Sequence, residues 1–583
     1  VHIDSSLTAS ESSMNVLLTD SPRNTSRNLK LGMRKIWIAL LSSFWLASIC
    51  NIALWREISR LPGLTTHEAI SLGVALALVI TLACTALLSL LAWRWTFKPA
   101  IIIFWFSAAF GAYFMLTYGV VIDKSMIVNA MQTDVKETSD LLSWRMAAVV
   151  LLLAGLPSVW LLRQSVRSSR APRQFLSNLA ATLTACALIA LVVFIFFQSI
   201  ATGMRNSTQL RYMMNPLNSF YAIGTLAAKP FQRDESAILP LGEDAKLGAD
   251  FAASSKPPLL LLVLGETARS GNFSLNGYGR PTNTLLTKEA VASQRNAWSC
   301  GTSTAASVPC MFSNIGRNAY EGRPANYEGL LDVLQHAGLA VLWLDNQSGC
   351  KGTCERLVTP SVDTSSLKIP GLCEAGECLD EVMLKDIDAR IKALPPERSA
   401  KGVVIVMHQM GSHGPAYFKR SPEKLKKFLP ECKDTALQSC SQQSLLNAYD
   451  NSIVYTDYFL ASSIAWLKTR TTSNSPAMIY LADHGESLGE DNLYLHGMPY
   501  GIAPDVQKRV PWITWLSPEF EKRSQLTMAC LKTRLDTRIS HDNYFHSVLG
   551  IMNVETSVYQ NELDIYAHCG PTHAIVKAAP TKQ

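Results

Sequence analysis

The stretch AMIYLADHGESLGE, residues 477–490, joins a short apolar run to Asp483, His484 and Gly485. Six apolar residues are far too few to cross a bilayer, where a helix needs about 20. Ending in polar side chains, the run reads as a strand buried on both faces, whose carboxyl end delivers groups to a ligand crevice. LLLLVLG (259–265), LAVLWLD (339–345), GVVIVMH (402–408) and RVPWITWLS (509–517) have the same form. Helix-like segments at 327–336 and 445–467 fall between them. The second half of the chain therefore predicts an α/β domain, a mainly parallel sheet covered by helices.

Upstream the apolar runs are of another kind. Residues 36–54, 70–93, 100–122, 146–162 and 176–200 are each near the length of a bilayer crossing, with the charges confined to the segments between them. With 48% hydrophobic residues over 583, the chain is too apolar for an ordinary soluble enzyme, and five such runs exclude a cleaved signal peptide. Arg23, Arg27, Lys30, Arg34 and Lys35 precede the first run; Arg94 and Lys98 fill the second loop; Arg163, Arg167, Arg170 and Arg173 fill the fourth. Positive charge marks these three as cytoplasmic, so five crossings place everything after about residue 200 on the outer face. The division expected is a disordered tail (1–34), five spans (35–200), an interfacial amphipathic segment broken at Asn215–Pro216 and followed by a linker (201–256), and a catalytic domain (257–583).

The net charge of +7 lies largely in the cytoplasmic loops. It calls for no nucleic-acid partner and, outside the membrane, favours approach to anionic lipid head groups. Of the 13 cysteines, Cys50, Cys84 and Cys186 lie inside apolar runs. The other ten follow the last run and fall mostly in close pairs: Cys300 with Cys310, Cys350 with Cys354, Cys373 with Cys378, Cys432 with Cys440, leaving Cys530 and Cys569 for a long-range bridge. An even set outside the membrane fits disulfides in an oxidising compartment, the periplasm of a Gram-negative host. A structural zinc site built on C-x3-C would need a second half, and none stands at the right spacing.

Glu266, Asp483 and His484 stand at the ends of the first and fourth predicted strands, and are hard or borderline ligands that hold zinc. His408 ends the third strand and reads as a hydrogen-bonded structural residue. His413 and His496 sit in glycine-containing loops and are placed to hold a second metal or to protonate a leaving group. His541 and His546 read as structural. WSCGTSTAASVPC, residues 298–310, sets Thr302, Ser303 and Thr304 between two cysteines and just ahead of a segment able to start a helix. A hydroxyl in the open position of a three-ligand zinc site loses its proton near neutral pH, and a helix N-terminus stabilises phosphate.

GETARSGNFSLNGYGR, SCGTSTAASVPCMF, DNQSGCKG, HQMGSHGPAYFKR and LADHGESLGE, together with the five spans, resemble the lipid A phosphoethanolamine transferases that confer polymyxin resistance, members of the alkaline phosphatase and sulfatase superfamily. That resemblance implies transfer of phosphoethanolamine from phosphatidylethanolamine to lipid A by a ping-pong route. It implies Thr304 as the nucleophile, with Glu266, Asp483 and His484 joining it around zinc. It puts Lys351, His413 and His496 where substrate phosphate or a second zinc binds, and Asn129, Thr133 and Glu137 at the ethanolamine head group. The partners implied are membrane lipids, phosphatidylethanolamine as donor and lipid A as acceptor, and the protein is expected to be a monomer. Gln347 and Ser421 depart from the family, where Asn and an aromatic are expected. The catalytic residues leave three other readings open: a related transferase acting on lipopolysaccharide core or another surface acceptor, a membrane-anchored phosphatase or sulfatase, and a silent adaptor. A sulfatase would need a Cys/Ser-x-Pro-x-Arg nucleophile setting, which is missing, and an adaptor would have lost metal ligands, which are all present.

Overall fold

The computed structural model describes residues 33–570, apart from 63, 133–140, 168, 229–236, 253–255 and 375. The expected tail, but for its last two residues, and the final 13 residues of the chain lie outside the described residues. Among the described residues five helices are long and apolar enough to cross a membrane: Lys35–Arg60, Thr66–Leu90, Phe97–Tyr118, Trp144–Arg163 and Ala171–Ile195. Their ends shift by a few residues from the apolar runs, because helices begin at caps rather than at the first apolar side chain. The second starts at a capping box, Thr65 accepting from the Glu68 N–H while Glu68 accepts from Thr65. The first is interrupted by a tight turn at Ile49–Asn51.

That interruption is tied down by amides. Asn51 Nδ2 donates to the carbonyls of Leu46 (2.8 Å) and Asn215 (2.6 Å), and Asn215 Nδ2 donates to those of Cys50 (3.0 Å) and Ala108 (2.7 Å). Carbonyls freed by the broken helix thus find donors inside an apolar surround, where an unmet group is expensive. The same bonds hold the post-membrane segment, helices Phe197–Asn206 and Leu217–Ala228 around a 3-10 turn at Thr208–Met213, against the bundle.

The catalytic domain is built on an eight-stranded sheet. In chain order its strands are β1 (Pro258–Gly265), β2 (Ala292–Trp298), β3 (Ala340–Asp345), β4 (Val362–Asp363), β5 (Val403–His408), β6 (Ser475–Ala482), β7 (Arg509–Leu516) and β8 (Ile539–Ser540). Across the sheet they run β8-β2-β7-β6-β1-β5-β3-β4. All pairs are parallel except those of β7 with β6 and β2. Every residue of β1, β3, β5 and β6 is buried, which explains their unbroken apolar sequences. Burying a leucine stabilises by about 2 kcal/mol, and six consecutive residues of β1, Leu259 to Leu264, are at most 2% exposed. The long helix Gln442–Lys468 packs against this sheet.

Register decides where chemistry occurs. Gly265 pairs with Ala482, Leu264 with His408, and His408 with Asp345. The residues that follow these partners, Glu266 and Asp483, therefore leave the sheet side by side.

The segment expected to be a plain linker is partly stitched to this domain. Ile238–Leu239 pairs with Asn326–Tyr327, and Lys246–Leu247 with Val554–Glu555. All five cysteine pairs are disulfides, Cys530 to Cys569 included.

Candidate active site

Glu266, Asp483 and His484 are each wholly buried, and one ligand atom from each lies within 4.8 Å of the others. His484 Nδ1 lies 2.9 Å from the Gly485 carbonyl, an acceptor only, so Nδ1 carries the proton and Nε2 presents its lone pair. That lone pair faces Glu266 Oε1 at 3.4 Å and Asp483 Oδ2 at 3.3 Å. Neither His484 Nε2 nor Asp483 Oδ2 has a hydrogen-bond partner among the described residues. Two buried ligand atoms left without partners beside the Glu266 carboxylate fit a cation between them, and the N/O donor set suits a borderline divalent ion such as zinc. With no ion, burial works against charge on His484, but the Asp483 and Glu266 carboxylates outweigh it and raise its pKa, so a proton would occupy Nε2 where a bound ion leaves the lone pair to coordinate. Burial and the charge of Glu266 raise Asp483. Burial would raise Glu266 too, yet the histidines around it hold it below the usual carboxylate range.

Outer contacts aim these ligands. Asp483 Oδ1 accepts the N–H groups of His484 (2.7 Å) and Thr267 (3.1 Å), which leaves Oδ2 facing the site. Thr267 Oγ1 donates to Glu266 Oε1 at 2.8 Å. Thr267 does this at φ 58°, a strained setting for a β-branched residue. One residue thus positions both carboxylates.

Thr304 opens the helix Thr304–Met311, and its Oγ1 lies 3.2 and 3.1 Å from the two Glu266 carboxylate oxygens. Of its neighbours, Thr302 Oγ1 donates to the Met498 carbonyl (2.6 Å), and Ser303 Oγ is buried without a partner among the described residues and makes no bond to Glu266. The 300–310 disulfide, the Gly301 N–H bond to Ser307 Oγ (2.8 Å) and the Gly497 N–H bond to the Thr302 carbonyl (2.8 Å) fix the loop.

The histidines in loops gather here. The ring of His496 lies 4.3 Å from that of His484 and 5.6 Å from that of His413. Glu486 Oε1, 3.3 Å from His496 Nδ1, orients that ring. His413 is carried by a loop clamped to buried Asp380, which accepts from the N–H groups of Met410 (2.8 Å) and Gly411 (3.2 Å) and from the side chains of Asn346 and Gln409. Gly411, at φ 53°, is obligatory: a Cβ there would lie 2.6 Å from the Glu266 carbonyl. His408 is buried and paired with Asp345 (3.2 Å), as the sequence leads one to expect.

Glu486, Asp380 and Thr267 were not legible as site-building residues. Glu486 and Thr267 carry no local signal beyond their nearness to ligands, and Asp380 lies 28 residues before His408. His541 is structural as expected, but its place is informative. Its Nδ1 accepts from the Cys300 N–H and its Nε2 donates to the Ala482 carbonyl, both at 3.0 Å, so one neutral ring joins the Thr304 loop to the Asp483 strand. Burial pushes its pKa down to about 3, below the unfolded value of 6.5. Unfolding then takes up a proton below about pH 6.5, so the neutral ring's contribution is complete above that pH and lost as pH falls. Wild type should lose its stability advantage over His541→Gln on acidification from pH 7 to 5, by up to about 1.4 kcal/mol per pH unit. Denaturant titrations of the two proteins across this range measure the difference.

The membrane half reaches the site. Helix Lys124–Gln132, in the loop between the third and fourth spans, packs against helix Thr304–Met311. Met126 lies over Gly497, 3.0 Å from where a Cβ would stand. Lys351 Nζ donates to the Gln132 carbonyl (3.1 Å) and to Ser348 Oγ (2.7 Å), tying its loop to this helix. Asn129 is half-buried on it; Thr133 and Glu137 lie outside the described residues.

Residues 258–554 match the Sulfatase family, and residues 80–231 match the family described as Phosphoethanolamine transferase EptA/EptB. The chain is 39% identical over 539 residues to phosphoethanolamine transferase EptA of Salmonella typhimurium, covering 91% of this chain and 96% of that one. It is 36% identical over 519 residues to phosphatidylethanolamine transferase Mcr-1 from Escherichia coli, covering 88% and 93%. In structure it is similar to the integral membrane protein lipooligosaccharide phosphoethanolamine transferase A (EptA) from Neisseria meningitidis, with a TM-score of 0.85, 31% identity, and coverage of 92% of this chain and 98% of that one. Likeness of this extent, in both halves at once, means that the chain belongs to the phosphoethanolamine transferase family, as an inner-membrane protein with a sulfatase-type catalytic domain in the periplasm.

Proposed function

We propose that the protein moves phosphoethanolamine from phosphatidylethanolamine to a phosphate of lipid A, in two half-reactions through Thr304, and thereby confers polymyxin resistance. The observation that carries this is the Thr304 hydroxyl, hydrogen-bonded to Glu266 at the mouth of a convergent acceptor trio, in a chain anchored by five spans. Donor, leaving group and acceptor are then all lipids held at one surface.

In the first half-reaction Thr304 Oγ bonds to the donor phosphorus and the bond from phosphorus to the diacylglycerol oxygen breaks. Glu266 orients the hydroxyl, and the amides at the start of helix Thr304–Met311 face the phosphoryl oxygens. His413 or His496 hands the proton that Thr304 gives up to the departing oxygen, Glu486 holding the second of these rings. Lys351 and, on the membrane loop, Asn129, Thr133 and Glu137 bind the head group. In the second half-reaction an acceptor phosphate oxygen bonds to phosphorus, its proton passes through the same histidine to the Thr304 oxygen, and that oxygen leaves as the regenerated hydroxyl. A zinc ion held by Glu266, Asp483, His484 and Thr304 would supply Lewis-acid charge that lowers the hydroxyl pKa and offsets phosphoryl charge. His413 and His496 are placed to share a second ion.

Lipid A extracted from polymyxin-sensitive cells with and without the gene tests the acceptor. Mass spectra should gain a phosphoethanolamine increment on lipid A, with a parallel rise in resistance. Unmodified lipid A alongside a modified core or other surface acceptor would overturn the assignment.

A further inference from the structure

We propose that the edge of the sheet beside the Thr304 loop, floored by Trp298 and Tyr500 and studded with Arg317, Lys508 and Arg538, docks the phosphate-bearing sugar head group of the acceptor. The inference rests on the transfer reaction proposed above and adds the surface that selects the second substrate.

Topology brings these residues to the reacting edge. Strand β7 is antiparallel to both β6 and β2, so β2 runs in the same direction as β6, and Trp298 ends β2 on the edge where Glu266 and Asp483 emerge. Strand β7 starts there, Arg509 pairing with Trp298, and Lys508 precedes it. Parallel β8 pairs Ile539 with Ala297, which places Arg538 at the same end.

The side chains make a charged, aromatic surface of this edge. The Arg317 guanidinium lies 3.7 Å from the Tyr500 ring centroid, Lys508 Nζ 5.4 Å from the same ring, and the Arg538 guanidinium 4.5 Å from Trp298. Carboxylates only partly answer this charge. Asp505 stands 3.3 Å from Lys508 Nζ, and Asp542 takes the backbone N–H of Arg317. Among the described residues neither the Arg317 nor the Arg538 guanidinium makes an ion pair or hydrogen bond to a carboxylate, while both lie over rings. A guanidinium spread on an aromatic face is held in place and keeps its N–H fork directed to the rim, the arrangement that grips phosphate oxygens in pairs.

The patch is wired to the nucleophile loop. Tyr500 OH donates to the Ser299 carbonyl (3.0 Å) and the Ser299 N–H donates to the Lys508 carbonyl (2.7 Å), immediately before Cys300. Met126 and the membrane loop border Gly497, three residues ahead of Tyr500. The loop therefore has two flanks of different chemistry. A zwitterionic donor head group gains little from a field of cations that repels its ammonium; a sugar with several phosphates gains from each.

The half-reactions separate the two roles. Full-length protein in vesicles is loaded with phosphatidylethanolamine alone and followed by intact mass, then discharged onto added lipid A. Arg317→Glu with Arg538→Glu should load as wild type does, and should need at least about tenfold more lipid A for half-maximal discharge, with a flatter salt dependence. The double lysine variant, which keeps charge without the fork, should fall between. Reversal variants that discharge at wild-type lipid A concentrations, or that fold with normal metal content but fail to load, would overturn the dock alone. Failure of wild type to load would overturn the two-step reading on which the dock rests.

Discussion

Thr304→Ala is expected to lose phosphoethanolamine transfer by at least about 10^4-fold, the loss typical when a nucleophile is deleted, with membrane insertion and thermal stability unchanged. Three hydroxyls compete for the role in the loop, and a fourth, Thr267, also touches Glu266. Geometry separates them. Thr267 is wholly buried and at φ 58° holds two carboxylates. Thr302 is spent on the Met498 carbonyl, and only Thr304 both reaches Glu266 and opens a helix. Thr304→Ser should keep a measurable share of the rate, and Thr302→Ala should keep the covalent adduct even if it turns over slowly. Intact-mass analysis after incubation with donor reads this directly. An adduct surviving in Thr304→Ala, or vanishing only in Ser303→Ala, would move the nucleophile.

Glu266→Gln is expected to abolish both ion binding and transfer. It replaces a charged acceptor with a neutral amide 3.4 Å from the His484 lone pair and 3.1 Å from Thr304 Oγ1. The readout independent of activity is stability. Ligand that binds only the folded state stabilises it by about 4 kcal/mol when present at roughly 1,000 times its Kd. Chelation should therefore lower the wild-type melting temperature and added zinc restore it, while the variant ignores both. A variant that still carries about one ion per chain would remove Glu266 from the ligand set.

Much of this was legible in sequence because its physics is local. Strands buried on both faces must be continuously apolar, and spans must be long and uncharged, so 259–265, 402–408 and the five runs stand out. Register then follows only from the sheet: nothing in the chain says that Gly265 meets Ala482, yet that pairing is what assembles Glu266 with Asp483. Strand Ala292–Trp298 escaped notice because Ser293, Gln294, Arg295 and Asn296 interrupt it, and the two-residue pairings at 238–239 and 246–247 are too short to carry periodicity. Asp380 and His541 act through contacts with partners distant in the chain, about 100 Å of extended chain for Asp380 and about 200 to 800 Å for His541 at roughly 3.4 Å per residue. The close cysteine pairs, by contrast, announced their own partners.

The contact of Met126 with Gly497, and of Lys351 with Gln132, means that part of the reaction chamber is made by the bilayer-embedded half of the molecule. Such an enzyme counts its substrates per unit area. Diluting the reacting lipids with inert ones would slow it at fixed bulk concentration, whereas adding more vesicles of the same composition would leave each molecule's turnover as it was. Its saturation constant is then a mole fraction of the leaflet, and the composition of the membrane itself becomes the variable that sets its rate.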